Sequence, residues 1–218
     1  MRCSWRPGGT PCKPQLEPVS ANIAPLRAFV VAFGRLLDTH PDEGCIVRDG
    51  GALLRRLVSR DDWLPDAFAQ ADPVHYRQYL LHADSTERFS VVCFVWGPGQ
   101  ATPVHDHTVW GLVGMLRGAE CSQGYAMRDG VLQARGEPVR LDPGDVQALS
   151  PTLGDVHRVR NAYDDRVSIS IHVYGANIGA IARHTYPPGG GRQPFVSGYA
   201  NALLPNLWGR DADHRNLT

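Results

Sequence analysis

The sequence predicts an α+β protein that is mainly β, in which helices come first and a β-barrel core follows. In the first part of the chain apolar residues recur at helical spacing, the pattern of an amphipathic helix. After about Tyr79 the chain changes to short runs rich in β-forming residues, separated by clusters of Gly, Asp and Pro, which is typical of a barrel or sandwich. Helices that precede the strands, rather than alternate with them, favour the α+β class.

The helical part is predicted over residues 21–80, packed on the barrel. A helix is expected over Ala21–Thr39, a second near Gly51–Arg60 and a third, shorter one near Pro65–Gln70. The first has its apolar residues at Ile23, Leu26, Val30, Phe33 and Leu37. Residues 1–20 are rich in proline and glycine, a composition that suits a mobile tail.

The barrel is predicted over residues 81–200. The stretch MRDGVLQ contains Asp129-Gly130, a dipeptide that favours a two-residue hairpin turn. From Tyr186 the sequence YPPGGGRQPFVSGY is interpreted as a loop, and residues 201–218 as a C-terminal tail. The whole chain is expected to form one domain.

Composition excludes several classes of protein. Lys plus Arg and Asp plus Glu number 22 each, whereas a nucleic-acid-binding protein usually shows a basic excess. No apolar run approaches the length of a membrane span, and the first residues lack the apolar core of a signal peptide. The five cysteines include no C-x-x-C pair, so a disulfide framework or zinc ribbon is not expected. We therefore expect a cytoplasmic protein with no nucleic-acid or membrane partner, in which Cys93 is a small buried residue.

His105 and His107 form an H-x-H pair that is a candidate for metal binding. On a β-strand, residues i and i+2 point to the same side, about 6.6 Å apart along the chain, so both imidazoles would reach one ion. Imidazole suits Zn, Cu, Fe and Ni alike, and the pair therefore does not identify the metal. An H-x-H pair also occurs by chance.

The surrounding residues resemble the two motifs of the cupin family over roughly residues 89–174. One motif has glycine, H-x-H, a glutamate and glycine; the other has a proline-glycine turn, a histidine and an asparagine. The matching residues are Gly99, His105, His107, Gly118, Pro143, Gly144, His157 and Asn161. The resemblance implies a cupin barrel, which is a double-stranded β-helix or jelly roll, with His157 as the third metal ligand. The other interpretation of His157 is a polar loop histidine.

The sequence departs from the cupin pattern where the glutamate is expected, because Gly111 stands there. The site would then hold three neutral imidazoles and no carboxylate. Asp106 would point to the opposite face of a strand, as a solvent-facing acid or one that supports the ligands. A divalent ion in such a site keeps its full charge and open positions, and it attracts an anion such as a thiolate.

A second polar row follows in RVSISIHVYG, where Ser170, His172 and Tyr174 lie on one face of a predicted strand and apolar residues on the other. Polar groups that face a barrel interior need hydrogen bonds. The three side chains can form a relay that ends at the tyrosine hydroxyl near the metal. A wet outer face of the barrel would show the same alternation.

Together, the H-x-H pair, the distant histidine and the S-x-H-x-Y row resemble the thiol dioxygenase family, which includes cysteine dioxygenase and 3-mercaptopropionate dioxygenase. The resemblance implies a non-haem Fe(II) held by His105, His107 and His157. It implies catalytic roles for Ser170, His172 and Tyr174, and insertion of both atoms of O2 into a thiolate sulfur to give a sulfinate. Animal members carry a cysteine that crosslinks to the tyrosine. The nearest match here is Gly111, so Tyr174 is expected to stay an unmodified phenol.

The substrate is predicted from two further positions of the resemblance. Animal cysteine dioxygenases hold the substrate carboxylate with the arginine of a Y-x-R-N-L segment, and Gln78 replaces it in YRQYLL. The bacterial branch that acts on 3-mercaptopropionate resembles this arrangement and uses an arginine beyond the tyrosine strand, which Arg183 matches. Gln78, Arg183 and Tyr174 are therefore the predicted substrate-binding residues. Arg77 is the alternative anchor if the match shifts by one residue, and Arg183 is alternatively an exposed helix residue.

The sequence thus predicts an Fe(II) thiol dioxygenase that favours 3-mercaptopropionate over L-cysteine. Its partners are a small thiol carboxylate and O2, and it is expected to be a monomer or a weak homo-oligomer. A cysteine dioxygenase with L-cysteine as main substrate is the alternative within this class. Outside it, a zinc or manganese cupin enzyme usually keeps the glutamate that is Gly111 here. A ligand-sensing cupin would normally carry a DNA-binding module.

Overall fold

The computed structural model describes residues 22–201, which begin with a helical part. Helix α1 spans Ala24–Asp38 and α2 spans Glu43–Cys45. A π-helical turn, Ile46–Gly50, joins α2 to α3, Gly51–Val58, and a 3₁₀ turn follows at Asp66–Phe68. Within the described residues, no helix combines the length and the apolarity that crossing a bilayer requires.

The strands form two larger antiparallel sheets and a small one. Their bounds are β1 Arg77–Ala83, β2 Ser90–Trp96, β3 Gly111–Arg117, β4 Glu120–Arg128, β5 Val131–Leu141, β6 Val146–Leu149, β7 His157–Asn161, β8 Ser168–Tyr174, β9 Arg183–Thr185 and β10 Gln193–Phe195. One sheet has the order β1-β2-β8-β3-β6, the second β5-β4-β7, and β9 pairs with β10. Isolated bridges from His105 to His157 and Thr185 connect these layers. The predicted fold class, mainly β with N-terminal helices and a double-stranded β-helix barrel, is confirmed.

The helices cover the outer face of the five-stranded sheet. Ile169, Ile171 and Val173 of β8 are fully buried there in one cluster with Phe33 and Leu54 of the helices. Gly114 of β3 lets α3 approach, because a Cβ at this position would lie 2.9 Å from the Leu54 side chain. The apolar half of the β8 alternation therefore faces the helices, which leaves the polar half inside the barrel.

The hairpin between β4 and β5 forms where the sequence predicts it. Asp129 and Gly130 have φ of 50° and 76°, as a type I′ turn requires at both central positions. Aspartate and glycine tolerate this left-handed backbone better than most residues. The dipeptide thus fixes the register of the two strands.

Several boundaries differ from the sequence prediction. Strand β1 begins at Arg77, inside the part predicted as helical, and β10 lies in the segment predicted as a loop. Asn201, assigned to the C-terminal tail, exchanges hydrogen bonds with both backbone groups of Leu80. Short strands at a sheet edge depend on such long-range partners, and local sequence does not reveal them. The predicted N-terminal tail and residues 202–218 lie outside the described residues.

Candidate metal centre

The three predicted metal ligands converge inside the barrel. His105, His107 and His157 each offer a nitrogen, and these atoms lie within 4.8 Å of one another. All three side chains are buried. The predicted strand for His105 and His107 is wrong, since both lie in an irregular segment between β2 and β3, whereas His157 is the first residue of β7. The loop histidines are brought to His157 by the backbone bridge between His105 and His157.

Each imidazole is oriented by a hydrogen bond at Nδ1. His105 donates to the carbonyl oxygen of Pro103 at 3.0 Å, and His107 Nδ1 lies 3.0 Å from Asp155 Oδ1. His157 Nδ1 lies 3.0 Å from the hydroxyl of Ser122. With Nδ1 engaged in every ring, Nε2 is the nitrogen left for an ion. Such outer partners fix the tautomer and ring orientation of metal-binding histidines.

Burial keeps the imidazoles of His105 and His157 neutral. Burial lowers the pKa of His105 to about 3, and the neighbouring His107 contributes in the same direction. Burial also lowers the pKa of His157 well below its ordinary value, with His105 and His107 again acting in the same direction. Neutral imidazole is the form that binds a metal. His105 and His157 therefore offer uncharged nitrogens to a cation.

Asp155 anchors the loop that carries His107. Its carboxylate accepts hydrogen bonds from the backbone amides of His107 and Thr108 as well as the contact with the His107 ring. Burial alone would raise the pKa of Asp155, but the hydrogen bonds to His107 and Thr108 lower it below the ordinary value. Thr108 has a φ of 62°, an uncommon conformation for a β-branched residue. The carboxylate thus holds a strained turn next to a candidate ligand.

Asp106 is not solvent-facing, contrary to one of its two predicted roles. It is buried and accepts hydrogen bonds from the backbone amide of His184 at 2.8 Å and from the hydroxyl of Tyr186 at 2.9 Å. Its side chain therefore fastens β9, the strand of Arg183, to the segment that carries His105 and His107.

The second polar row forms a continuous chain of hydrogen bonds. Ser170 Oγ lies 2.9 Å from His172 Nε2, and His172 Nδ1 lies 2.8 Å from the Tyr174 hydroxyl. The Trp96 indole donates to Ser170 Oγ at 3.0 Å. The Tyr174 ring stacks on the His107 ring with centroids 5.4 Å apart. The row is buried and ends beside the three imidazoles, so the wet outer face considered from sequence is wrong.

Gly111 lies against the Tyr174 ring. A Cβ at Gly111 would sit 3.0 Å from Tyr174 Cδ1 and 3.1 Å from Cε1. A side chain here would meet the phenol ring directly, as the resemblance to crosslinked animal enzymes implies. With glycine there, Tyr174 has no sulfur neighbour at this position. Burial raises the pKa of Tyr174 above its ordinary value, so the phenol keeps its proton.

Gln78 lies on the interior face of β1. It is directly opposite Phe94 in the β1–β2 ladder, and the Phe94 ring stacks on His172 with centroids 4.0 Å apart. The Gln78 side-chain oxygen is buried with no hydrogen-bond partner among the described residues. Arg77, the alternative anchor, instead points outward and pairs with Asp72. Of the two side chains, that of Gln78 therefore faces the interior and that of Arg77 does not.

Arg183 is buried rather than exposed, and it lies on β9 rather than a helix. One terminal nitrogen donates to the hydroxyl of Ser197 at 2.6 Å, and the guanidinium lies 4.6 Å from the centroid of Phe195. Its Nε has no partner among residues 22–201. Burial lowers the pKa of Arg183, while the nearby Tyr174 and Tyr76 act in the opposite direction. Among the described residues no carboxylate forms an ion pair with this buried cation, although the charge of Asp106 also acts on its pKa.

Sequence reasoning missed several residues of this site. Asp155 lies two residues before His157, and a carboxylate so close to a candidate ligand was the available signal. Ser122 and Glu120 alternate on β4 and face the interior, but the surrounding residues show no alternation of polarity. Their direction follows only from pairing of β4 with β7.

The fold and the histidine cluster together define a class: a cupin barrel with a buried three-histidine site. Comparison with known families narrows this class. The sequence profile described as "Cysteine dioxygenase type I" matches residues 57–186, more than half of the chain. The protein belongs to the cysteine dioxygenase type I family.

Individual relatives and solved structures share less than a third of their residues with this chain over the matched regions. A curated relative, "Cysteine dioxygenase type 1" of Danio rerio, is 28% identical over 118 residues, which cover 52% of this chain and 56% of the relative. The chain thus matches little more than half the length of that relative. The crystal structure of TT1209 from Thermus thermophilus has 20% identity and a TM-score of 0.40, covering 51% of this chain and 92% of the other. An RmlC-like cupin from Desulfovibrio desulfuricans has 22% identity and a TM-score of 0.37, covering 49% and 87%.

Proposed function

We propose that the protein is a non-haem Fe(II) thiol dioxygenase, which adds both atoms of O2 to the sulfur of a small thiol carboxylate and yields a sulfinate. The observation that carries the proposal is the cluster of three buried imidazoles beside the Tyr174 row, in a chain of the cysteine dioxygenase type I family. Cys45, Cys93 and Cys121 are free thiols, as a reducing cytoplasm favours.

The donor set fits a ferrous ion. Three imidazoles with oriented Nδ1 atoms leave several coordination positions for exogenous ligands, and no carboxylate belongs to the cluster within the described residues. When bound, the ion supplies adjacent positions for a thiolate and O2 and a route for electron density from sulfur to oxygen. His105, His107 and His157 would hold it, and a ligand set without a carboxylate favours binding of an anionic thiolate.

Tyr174 acts at the boundary between the row and the substrate. Its hydroxyl is held by His172 at 2.8 Å, and its ring is held by stacking on His107. A phenol fixed on both sides presents its hydroxyl to the site with little reorganisation during the reaction. We assign it the role of orienting the sulfur or the oxygen that reacts, with His172 and Ser170 hydrogen-bonded in line behind its hydroxyl.

Arg183 and Gln78 define the preference for the substrate. We assign the substrate carboxylate to Arg183, whose Nε lacks a partner among the described residues, and a supporting hydrogen bond to the Gln78 amide. Gln78 cannot pair charge with a carboxylate, so one cation remains for one carboxylate. 3-Mercaptopropionate meets this arrangement with its thiolate at the metal and its carboxylate at Arg183. L-Cysteine adds an amino group, and the nearby carboxylate of Asp106 is already engaged by His184 and Tyr186.

The test is anaerobic loading with Fe(II), followed by O2 uptake and sulfinate yield across small thiols. We expect coupled sulfinate formation with 3-mercaptopropionate and L-cysteine, and a clearly higher kcat/KM for 3-mercaptopropionate. A higher kcat/KM for L-cysteine would contradict the substrate preference. Metal analysis of the purified protein separates the remaining alternatives, because zinc or manganese without sulfinate formation would support a different cupin enzyme.

A substitution tests the substrate pocket directly. Gln78→Arg should shift the preference towards L-cysteine, since a second guanidinium changes how the carboxylate is held. Gln133→Arg on exposed β5 is the matched control and should leave the preference unchanged. An unchanged ratio of kcat/KM values in Gln78→Arg would place Gln78 outside the pocket.

A further inference from the structure

Glu120 is a buried acid that the proposed site does not use. It is the first residue of β4 and is 1% exposed, and neither carboxyl oxygen makes a hydrogen bond of ordinary geometry with the described residues. Its neighbours in the ladders are Leu141 of β5 and Asn161 of β7, both uncharged. An unpaired buried carboxylate is costly. A group of this kind is retained where it exchanges a proton or contacts a ligand.

The carboxyl group lies at the inner end of the polar row. The two side chains that act on its pKa are Ser170 of β8 and Trp96 of β2, and these are joined by the hydrogen bond from the indole to the Ser170 hydroxyl. Neither carries a charge. The ionisable groups of the row are His172 and Tyr174, and Glu120 in turn raises the pKa of Tyr174. The order along the row is therefore Glu120, Ser170, His172 and Tyr174.

The ionisation of Glu120 falls near neutrality. Burial raises its pKa to about 7, while the hydrogen-bonding groups of Ser170 and Trp96 oppose this rise. Glu120 thus exchanges a proton in the pH range in which a thiol, with a pKa of about 8.5 or higher, is still mostly protonated.

The hydrogen bonds between the two ends of the row can be oriented in either of two directions. The arrangement required with Glu120 ionised has the Ser170 hydroxyl turned towards the carboxylate, although the two groups make no ordinary hydrogen bond in this structure. His172 Nε2 then donates to Ser170, and Tyr174 donates to His172 Nδ1. With Glu120 protonated, every bond reverses, so that Tyr174 turns its proton towards the metal site. Both arrangements keep His172 and Tyr174 neutral, as their burial requires.

We propose that Glu120 is the internal base that takes up the thiol proton when substrate binds, through Tyr174, His172 and Ser170; this inference rests on the proposed function. The S–H bond breaks and its proton passes to the Tyr174 oxygen. The former Tyr174 proton passes to His172 Nδ1, the Nε2 proton to Ser170 Oγ, and the Ser170 proton to a carboxylate oxygen of Glu120. No electrons are transferred, and the negative charge moves from Glu120 to the sulfur.

The test counts protons rather than turnover. Anaerobic binding of 3-mercaptopropionate to the Fe(II)-loaded protein at about pH 7.5 is measured by titration calorimetry in buffers of different ionisation enthalpy. Since the free thiol is mostly protonated at this pH, forming a bound thiolate liberates about one proton. We expect the wild type to release less than half a proton to the buffer and Glu120→Gln about one. Glu137→Gln, on exposed β5, is the matched control and should behave like the wild type.

Infrared spectroscopy gives a second measurement, which can be made on the wild-type protein. The carbonyl band of a protonated carboxyl group should grow when the thiol binds, and this change should be missing in Glu120→Gln. Equal proton release in the two proteins, with thiol bound in both, or no growth of the band in the wild type, would overturn the inference alone. Absence of thiol binding to the wild type would overturn the proposed function, and the inference with it.

Discussion

The three imidazoles and the row from Ser170 to Tyr174 lie side by side in one barrel, but they are built in different ways. The row occupies one regular strand, where alternation alone sets the direction of every side chain. Two of the imidazoles lie on an irregular segment, where the Pro103 carbonyl holds the His105 ring and the Asp155 carboxylate holds the His107 ring. The comparison teaches that a strand positions its residues through backbone geometry, whereas a loop needs separate partners for each ring.

The largest effect should follow the loss of a ligand. His157→Ala is expected to abolish Fe(II) binding and activity together, because two imidazoles cannot hold the ion against solvent and chelators. Metal content and O2 uptake are the measurements. His75→Ala, an exposed histidine, is the matched control, and iron retained at the wild-type level in His157→Ala would contradict the assignment of the ligand.

The next effect concerns the carboxylate that holds the loop. Asp155→Asn should weaken Fe(II) binding by about 10- to 100-fold, as loss of outer partners does at metal sites. The amide cannot accept all the hydrogen bonds from His107 and Thr108 with the same strength. Competition with a chelator measures the affinity, and Asp164→Asn on an exposed loop serves as the control. Unchanged affinity would show that the loop positions His107 without Asp155.

His172, in the polar row, should make the free energy of unfolding depend on pH. Burial lowers the pKa of His172 well below its ordinary value, so the folded protein does not take up the proton that the unfolded chain binds below about pH 6.5. Stability from this residue is therefore present above that pH and is lost as pH falls. In metal-free protein, His172→Gln should reduce the slope of the unfolding free energy against pH by up to about 1.4 kcal/mol per pH unit.

Denaturant unfolding between about pH 6 and pH 5, below the ordinary pKa of histidine, measures this slope. Comparing the variant with the wild type isolates His172, since the buried histidines of the cluster are present in both proteins. His75→Gln should keep the wild-type slope. Equal slopes in the wild type and His172→Gln would mean that the row takes up protons while folded.

The smallest effect is expected at the hydroxyl beside His157. Ser122→Ala removes a neutral hydrogen bond worth about 0.5–1.5 kcal/mol, which corresponds to a loss of about 2- to 10-fold in Fe(II) affinity. The loss should be smaller than in Asp155→Asn because β7 already fixes the backbone of His157. If Ser122→Ala weakened the affinity more than Asp155→Asn, the contrast between strand and loop would be wrong for this pair.

The same contrast explains which features the sequence predicts. The interior row follows from alternation in RVSISIHVYG, because the geometry of a strand is local. The convergence of the histidines follows from resemblance to cupin motifs, but the irregular path of His105 and His107 does not, because it depends on the bridge to His157. Asp155, Ser122 and Glu120 were missed because only the pairing of strands distant in sequence brings them to the site.

Gly111 affects whether the protein is modified covalently after synthesis. Because no sulfur lies against the phenol ring of Tyr174 at this position, repeated turnover has no route to join these two residues covalently. Every copy should keep the same mass from synthesis onward, and freshly made and long-used protein should show identical progress curves without an initial lag. The catalyst would be complete as soon as it folds and takes up its metal.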